Sequence, residues 1–340
     1  MNGTGGSKVE VIAEVGSVHD GSFGNALCLV DLATECGADT VKFQTHIASA
    51  ETLRDALQPP YFNAEPRYDY FERTAFRPDQ WCAIIERCEN RNILFLSSPF
   101  SCEAVDLLET AGAQRFKIPS GEVTHLPLLE KTARTGKPVL LSSGMSSWEE
   151  LDEAVNTILR HNSQLTILQC TSAYPCPYEQ VGLDVMLQMR DRYQLPVGLS
   201  DHTLTPYASF AAVSLGAAVI EKHLTFSRRM YGSDARHSME PHDFRLLVEG
   251  IRAIETMLAV QVNKHNTEPF EGMKLVFEKS MVSLTDIPEG AAITRDMIGF
   301  KKPGTGIPAR RLADVLSSRA ARFIPMDTIL SEDDLLPRGN

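Results

Sequence analysis

Val197-Gly198-Leu199-Ser200-Asp201-His202-Thr203 and Ala218-Val219-Ile220-Glu221-Lys222-His223 each pass from a short β-forming run into a histidine. Between them, Thr205 to Leu215 has the spacing of an amphipathic helix, with Thr205 as its candidate N-cap. This order of strand, helix and strand predicts a βα repeat, and the repeat extends back to the start of the chain. Further strands are predicted at Val9 to Val15, Thr40 to Gln44, Ile93 to Ser97, Arg115 to Ile118, Pro138 to Ser142 and Leu165 to Cys170, with the last two at Val197 to Leu199 and Ala218 to Glu221. Helical spacing fills Asn25 to Cys36, Pro78 to Asn90, Glu103 to Ala111 and Ser147 to Arg160, the last capped by Ser147. Eight βα units in about 260 residues fit a TIM (β/α)8 barrel. An open doubly wound sheet fits less well. No Gly-x-Gly-x-x-Gly follows the first strand, and polar motifs follow nearly every strand instead of one switch point.

In a closed barrel the C-terminal strand ends converge on one mouth. The residues brought there would be Glu14 and His19, Lys42 with Gln44 and His46, Ser98, Lys117 with Ser120 and Glu122, Ser142, Tyr174, Ser200 with His202, and Glu221 with His223. A lone histidine at a pocket edge is usually structural. Two on neighbouring strand ends, in this company, suit a transition-series divalent ion with positions left open for substrate and water. The lysines, hydroxyls and the glycine turns Ser120-Gly121 and Ser143-Gly144 suit a phosphate and a carboxylate, with a local positive pocket. Glu14 and Glu122 add acid–base capacity.

The chain has 340 residues, 43% of them hydrophobic, enough for one large α/β domain and a small second one. Its net charge of −11 argues against nonspecific binding to nucleic acid or anionic membranes. No apolar run reaches the roughly 20 residues of a membrane helix, and Met1 to Ser7 lacks a signal-peptide core, so a cytoplasmic protein is expected. The seven cysteines show no CxxC pairing and read as reduced thiols, with Cys170 more suited to packing than to attack. Near the C-terminus, Ile287 to Ile298 repeats without gaps as Ile324 to Leu335. Each copy passes from a proline turn into an apolar element and a Thr- or Ser-capped turn. The expected boundaries are 1–262 for the barrel, 263–279 for a linker and 280–340 for the small domain.

Together the motifs Val41-Lys42-Phe43-Gln44-Thr45-His46, Lys117-Ile118-Pro119-Ser120-Gly121-Glu122, Cys170-Thr171-Ser172-Ala173-Tyr174-Pro175, Gly198 to Leu204 and Lys302-Pro303-Gly304-Thr305-Gly306 resemble the sialic acid synthase family, which includes legionaminic and pseudaminic acid synthases. The resemblance spans nearly the whole chain. It implies a TIM barrel followed by an antifreeze-like (SAF) domain, in a domain-swapped homodimer whose SAF domain covers the partner's barrel mouth. The implied reaction joins phosphoenolpyruvate to an N-acylated amino sugar, with a divalent metal, usually Mn2+ (Mg2+ or Co2+ also serving), on His202 and His223. Phosphoenolpyruvate would be held by Lys42, Gln44, Ser98, Lys117, Ser120, Ser142, Tyr174 and Ser200. The sugar would meet Glu14, Ser172, Tyr174, Asp234 and the partner's Lys302, and the catalytic set would comprise Glu14, Lys42, Lys117, Glu122 and Asp234.

Departures from the family pattern bear on the acceptor. Val18 stands where Asn often precedes His19, Ser172 where some members have Asn, and Phe43 where some have His. Lys302 replaces an arginine, keeping the charge but losing the planar fork. These changes put a 2,4-diacetamido sugar level with N-acetylmannosamine as the acceptor. A different metal-dependent TIM-barrel aldolase would need the histidines but not both lysines and the tail. A synthase acting on a sugar phosphate would call for further Arg or Lys, and a noncatalytic binding protein would need no metal ligands and acids around one cavity.

Overall fold

The computed structural model describes residues 8–57 and 65–337. Eight parallel strands among these close into a barrel: β1 (Glu10–Gly16), β2 (Thr40–Thr45), β3 (Leu94–Pro99), β4 (Phe116–Ile118), β5 (Val139–Ser142), β6 (Leu165–Cys170), β7 (Val197–Asp201) and β8 (Val219–His223). The last two run further than their apolar segments suggest. His223 ends β8, and His202 follows β7 directly.

Alternation along the strands sorts the interior into three levels. At the N-terminal end Arg115 forks onto Glu10, which also accepts from Thr40. Ile12, Leu96, Leu140, Leu168 and Val219 form a separate apolar layer in the middle. Two residues further along the same strands come Glu14, Ser98, Ser142, Cys170 and Glu221. The apolar layer therefore seals the floor beneath a polar mouth. Residues of the other parity, such as Val11, Phe43, Ile167 and Leu199, pack outward under the helices.

Ser147 caps helix Trp148–Leu159 as expected, in a reciprocal box with Glu150. Thr205 does not cap. Helix Tyr207–Ser214 begins after Pro206, and the Thr205 carbonyl accepts from Lys222 and Thr203 instead. A 19-residue helix, Pro241–Ala259, follows the last strand. No helix among the described residues is long and apolar enough to cross a membrane.

The chain divides into two compact units, Met1–Val260 and Gln261–Asn340. In the second, β9 (Ser280–Ser283) pairs with β10 (Ile298–Lys301) and β11 (Ser318–Ala320) with β12 (Leu335–Pro337), all antiparallel. The repeat is visible in its core. Ile287 and Ile324, the first residues of the two copies, exchange both backbone hydrogen bonds at 2.8 and 2.9 Å. Their counterparts Ile293 and Leu330 are also buried. Short 3-10 turns follow Thr294 and Ser331. The stretch read as a linker carries a helix of its own, Glu271–Phe277.

Candidate active site at the barrel mouth

Four ionised side chains meet above the apolar layer. Lys42 Nζ lies 2.5 Å from Glu14 Oε2 and 3.5 Å from Glu221 Oε1. Lys117 Nζ donates to both Glu221 oxygens at 2.8 Å, and Ser200 Oγ donates to Glu221 Oε1 at 2.9 Å. Burial works against the Lys42 cation, but Glu14 and Glu221 outweigh it and hold its pKa above the ordinary value. At Lys117 burial prevails over Glu221 and pulls the pKa down. Burial alone would raise Glu221, yet the two lysines reverse this and keep its carboxyl well below the usual range.

The lysines are thus not the bare positive pocket expected from the sequence. Each ammonium has three N–H groups and two acceptors among the described residues, which leaves one donor for an incoming anion.

Around this cluster stand further polar groups. Gln44 Nε2 donates to Glu14 Oε1 at 2.8 Å. Asp234 Oδ2 accepts from the Ser17 amide at 2.9 Å and comes so close to Gly16 that a Cβ there would lie 2.4 Å from it. Gly16 also has φ +48, so this turn requires glycine on both counts. Ser98 Oγ is buried without a hydrogen-bond partner among the described residues, a donor free to meet an anion. Ser142 is buried at the end of β5. Gly144 lies between two hydroxyls. Its amide donates to Ser120 Oγ at 3.1 Å, and a Cβ would lie 2.5 Å from the Oγ of both Ser120 and Ser172. Cys170, Thr171 and Ser172 border a cavity of about 560 Å³ lined also by Trp148, Val185 and Met189. Burial raises the Cys170 thiol pKa, in keeping with a packing role.

The two histidines face each other with ring centroids 5.6 Å apart, and Tyr174 lies 4.2 Å from His202. His202 Nδ1 is 2.9 Å from the Thr171 carbonyl, so it carries the hydrogen and Nε2 keeps its lone pair. Burial, helped by His223, pushes the His202 pKa down to about 3, which keeps it in the ligand form at neutral pH. His223 Nδ1 is buried with no hydrogen-bond partner among the described residues. No cluster of three or more His, Cys, Asp or Glu suited to a metal occurs among those residues. The pair fits a divalent ion whose other positions come from substrate and water.

Behind the histidines is a buried pair that sequence reading missed. Lys222 Nζ lies 2.8 Å from Asp201 Oδ2 and donates to the carbonyls of Thr203 and Thr205, while Asp201 accepts from Ser209 and the Thr203 amide. Asp201 and Lys222 are register partners and immediate neighbours of His202 and His223. The signal was present as two charges at the outward parity of otherwise apolar strands. Glu221 was placed in the ring but given no role, although it shares the inward parity of His223.

Three further residues named in the sequence reading have other contacts. Glu122 hydrogen-bonds His125 Nδ1 at 2.9 Å within its own turn instead of joining the lysine cluster. Phe43 is fully buried among Trp81 and Phe95 on the outer side of β2, so it does not shape the mouth. Lys302, in the second unit, rests 5.0 Å over the Phe277 ring.

His19 gives a pH prediction. Burial, partly offset by Asp234, lowers its pKa to about 4. The unfolded chain therefore binds the extra proton first, and stability present above pH 6.5 is lost as pH falls through 4, by up to about 3 kcal/mol. His19→Asn is expected to flatten the fall in melting temperature between pH 6.5 and 4. An unchanged slope would remove His19 as the acid-sensitive group.

The profile of the NeuB family matches residues 29–263, and that of the SAF domain residues 278–336. The chain is 35% identical over 333 residues to the N,N'-diacetyllegionaminic acid synthase of Campylobacter jejuni, covering 96% of this chain and 99% of that one. It is 32% identical over 331 residues to human N-acetylneuraminate-9-phosphate synthase, covering 95% and 91%. The solved structure of spore coat polysaccharide biosynthesis protein SpsE from Bacillus subtilis superposes with a TM-score of 0.65 at 29% identity, over 98% of this chain and 97% of that one.

Proposed function

The chain belongs to the NeuB family, and from that premise we propose that it condenses phosphoenolpyruvate with an open-chain N-acylated hexosamine and water, giving a nine-carbon 2-keto sugar acid and inorganic phosphate. The observation that carries this reading is the paired network of Lys42, Glu14, Glu221 and Lys117, beside two ligand-ready histidines and the unpartnered Ser98 hydroxyl. His202 and His223 would hold a divalent ion, Mn2+ with Mg2+ or Co2+ as substitutes, which supplies Lewis-acid polarisation of an aldehyde oxygen.

The remaining donors of Lys42 and Lys117 hold the phosphate and carboxylate, with Ser98, Ser120, Ser142, Ser200, Gln44 and Tyr174 completing the cradle. Glu14, Asp234, Ser172 and Tyr174 receive the sugar. So held, C3 of the enol attacks the aldehyde carbon, whose oxygen takes a proton, and C2 becomes oxocarbenium-like. Water adds at C2 and gives its proton to a carboxylate. The C2–O bond to phosphate then breaks, releasing phosphate and leaving the ketone.

Glu122 is already engaged by His125, whereas Glu14 touches Lys42 and Gln44. Glu14→Gln is therefore expected to lower kcat by more than about 100-fold and Glu122→Gln by less than about 10-fold. The reverse order in steady-state kinetics would return the proton transfer to Glu122.

The acceptor we propose is a 2,4-diacetamido-trideoxyhexose. Supporting it are the substitution by Lys302 and the 35% identity to a diacetyllegionaminic acid synthase. Comparing kcat/KM for this sugar and for N-acetylmannosamine tests the choice, and preference for N-acetylmannosamine would reverse it.

A homodimer in which one copy's SAF domain brings Lys302 to the other's barrel completes the proposal. Between Met257 and Phe277, nine large apolar side chains, including Val262, Phe270 and Phe277, are 52% to 79% exposed. Mixing His202→Ala with Lys302→Ala chains is expected to restore part of the activity that each lacks. No recovery after verified subunit exchange would exclude the shared site.

A further inference from the structure

His46 follows β2 directly, and its ring is clamped flat between Phe71, at 3.7 Å and 9°, and Phe100, at 4.2 Å and 22°. Nδ1 lies 2.7 Å from Glu51 Oε1, and both side chains are nearly inaccessible. Glu51 is itself anchored, since its other oxygen accepts from the Ile47 amide. Nε2 lies 3.2 Å from Gln44 Oε1. The Gln44 Nε2 group in turn donates to Glu14 Oε1, while Glu14 Oε2 accepts from Lys42. A continuous chain of hydrogen bonds therefore runs from Glu51 through His46, Gln44 and Glu14 to Lys42.

The chemistry of the partners orders that chain. An ionised carboxylate only accepts, so the Gln44 group facing Glu14 is the amino end. Its carbonyl oxygen then faces His46, which meets it with a protonated Nε2, and the same rule at Glu51 places a second hydrogen on Nδ1. Remove the Nε2 hydrogen and the Gln44 carbonyl oxygen loses its partner, so the amide is held from the Glu14 end alone. A flipped amide would set an oxygen against the carboxylate and release it from its orientation on Lys42.

We propose that His46 is a positioning residue of the catalytic site, holding Gln44 in the one orientation that presents an N–H to Glu14 and fixes the Glu14–Lys42 pair. This rests on the reading of Glu14 and Lys42 as part of the phosphoenolpyruvate and sugar site. The packing of the His46 ring is supplied by two phenylalanines, and its Nε2 meets a side chain that itself bonds Glu14.

The test uses the full chain with Mn2+, phosphoenolpyruvate and whichever of N-acetylmannosamine or a 2,4-diacetamido-trideoxyhexose it turns over. His46→Asn can still reach Glu51 but not Gln44, and kcat/KM is expected to fall about 10- to 100-fold, as for a misplaced catalytic group. His46→Gln places an N–H near the former Nε2 and is expected to recover activity to within about threefold of wild type. Because the effect passes through Glu14, His46→Asn added to Glu14→Gln is expected to cost nothing further. Equal losses in the Asn and Gln variants, or a full additional loss in the Glu14→Gln background, would overturn the proposal. If His46→Asn does not fold, Glu51→Ala in both backgrounds decides, with a loss confined to the chain carrying Glu14 expected and an equal loss in both contradicting it. A wild-type chain inactive with both sugars would instead refute the proposed function.

Discussion

Lys117→Met is expected to abolish turnover and lower the melting temperature, and adding Glu221→Gln is expected to restore the temperature but not the turnover. Among the described residues, the single change leaves the buried Glu221 carboxylate with only the 3.5 Å contact to Lys42 and the Ser200 hydroxyl. Breaking a buried ion pair from one side costs about 3 kcal/mol or more, or roughly 6–12 °C in a domain of this size. Neutralising the partner removes the uncompensated charge, and a neutral pair of similar volume is often tolerated in such places. The lost N–H toward phosphoenolpyruvate is not replaced in either variant. Thermal melts with steady-state kinetics separate the two effects. Turnover returning with stability in the double variant would make Lys117 structural.

His202→Ala is expected to lose both Mn2+ affinity and about 1,000-fold or more in kcat, with the fold intact. Lewis-acid polarisation contributes several kcal/mol to such a transition state, and each 1.36 kcal/mol is a factor of ten. The double variant with His223→Ala should be no worse than either single one, because the two ligands act as a unit. Titration of Mn2+ followed by electron paramagnetic resonance reads binding without reference to activity. Unchanged Mn2+ affinity in His202→Ala would remove the pair as a metal site. Truncating Lys222 should weaken Mn2+ binding less, since Lys222 only braces the strand ends behind the histidines.

The barrel was legible because apolar runs and helical spacing alternate along the chain, and strand-end polarity pointed to the mouth. The histidine pair was legible for the same reason. What period-two reading could not supply was pairing. Which carboxylate lies against which lysine depends on strand stagger, so Lys117 meets Glu221 across the barrel although they belong to β4 and β8. The bond of Glu122 to His125 was not legible because it arises in a 3-10 turn, Ser120–Glu122, outside the strand parity. Phe43 was counted among the departures that bear on the acceptor, but an odd position between two inward ones faces the helices. Thr205 was read as a cap because it opens the helical spacing, whereas its hydroxyl pairs with Tyr178 and the buried Lys222 ammonium claims its carbonyl.

The most direct test of the condensation is the fate of the bridging oxygen of phosphoenolpyruvate. With Mn2+, an N-acylated hexosamine acceptor and phosphoenolpyruvate carrying 18O between C2 and phosphorus, the label should appear in inorganic phosphate, released in equal amount to the 2-keto sugar acid and only when the sugar is present. Label retained in the keto acid, phosphate released without sugar, or no release with any of the sugars named would contradict the synthase reading.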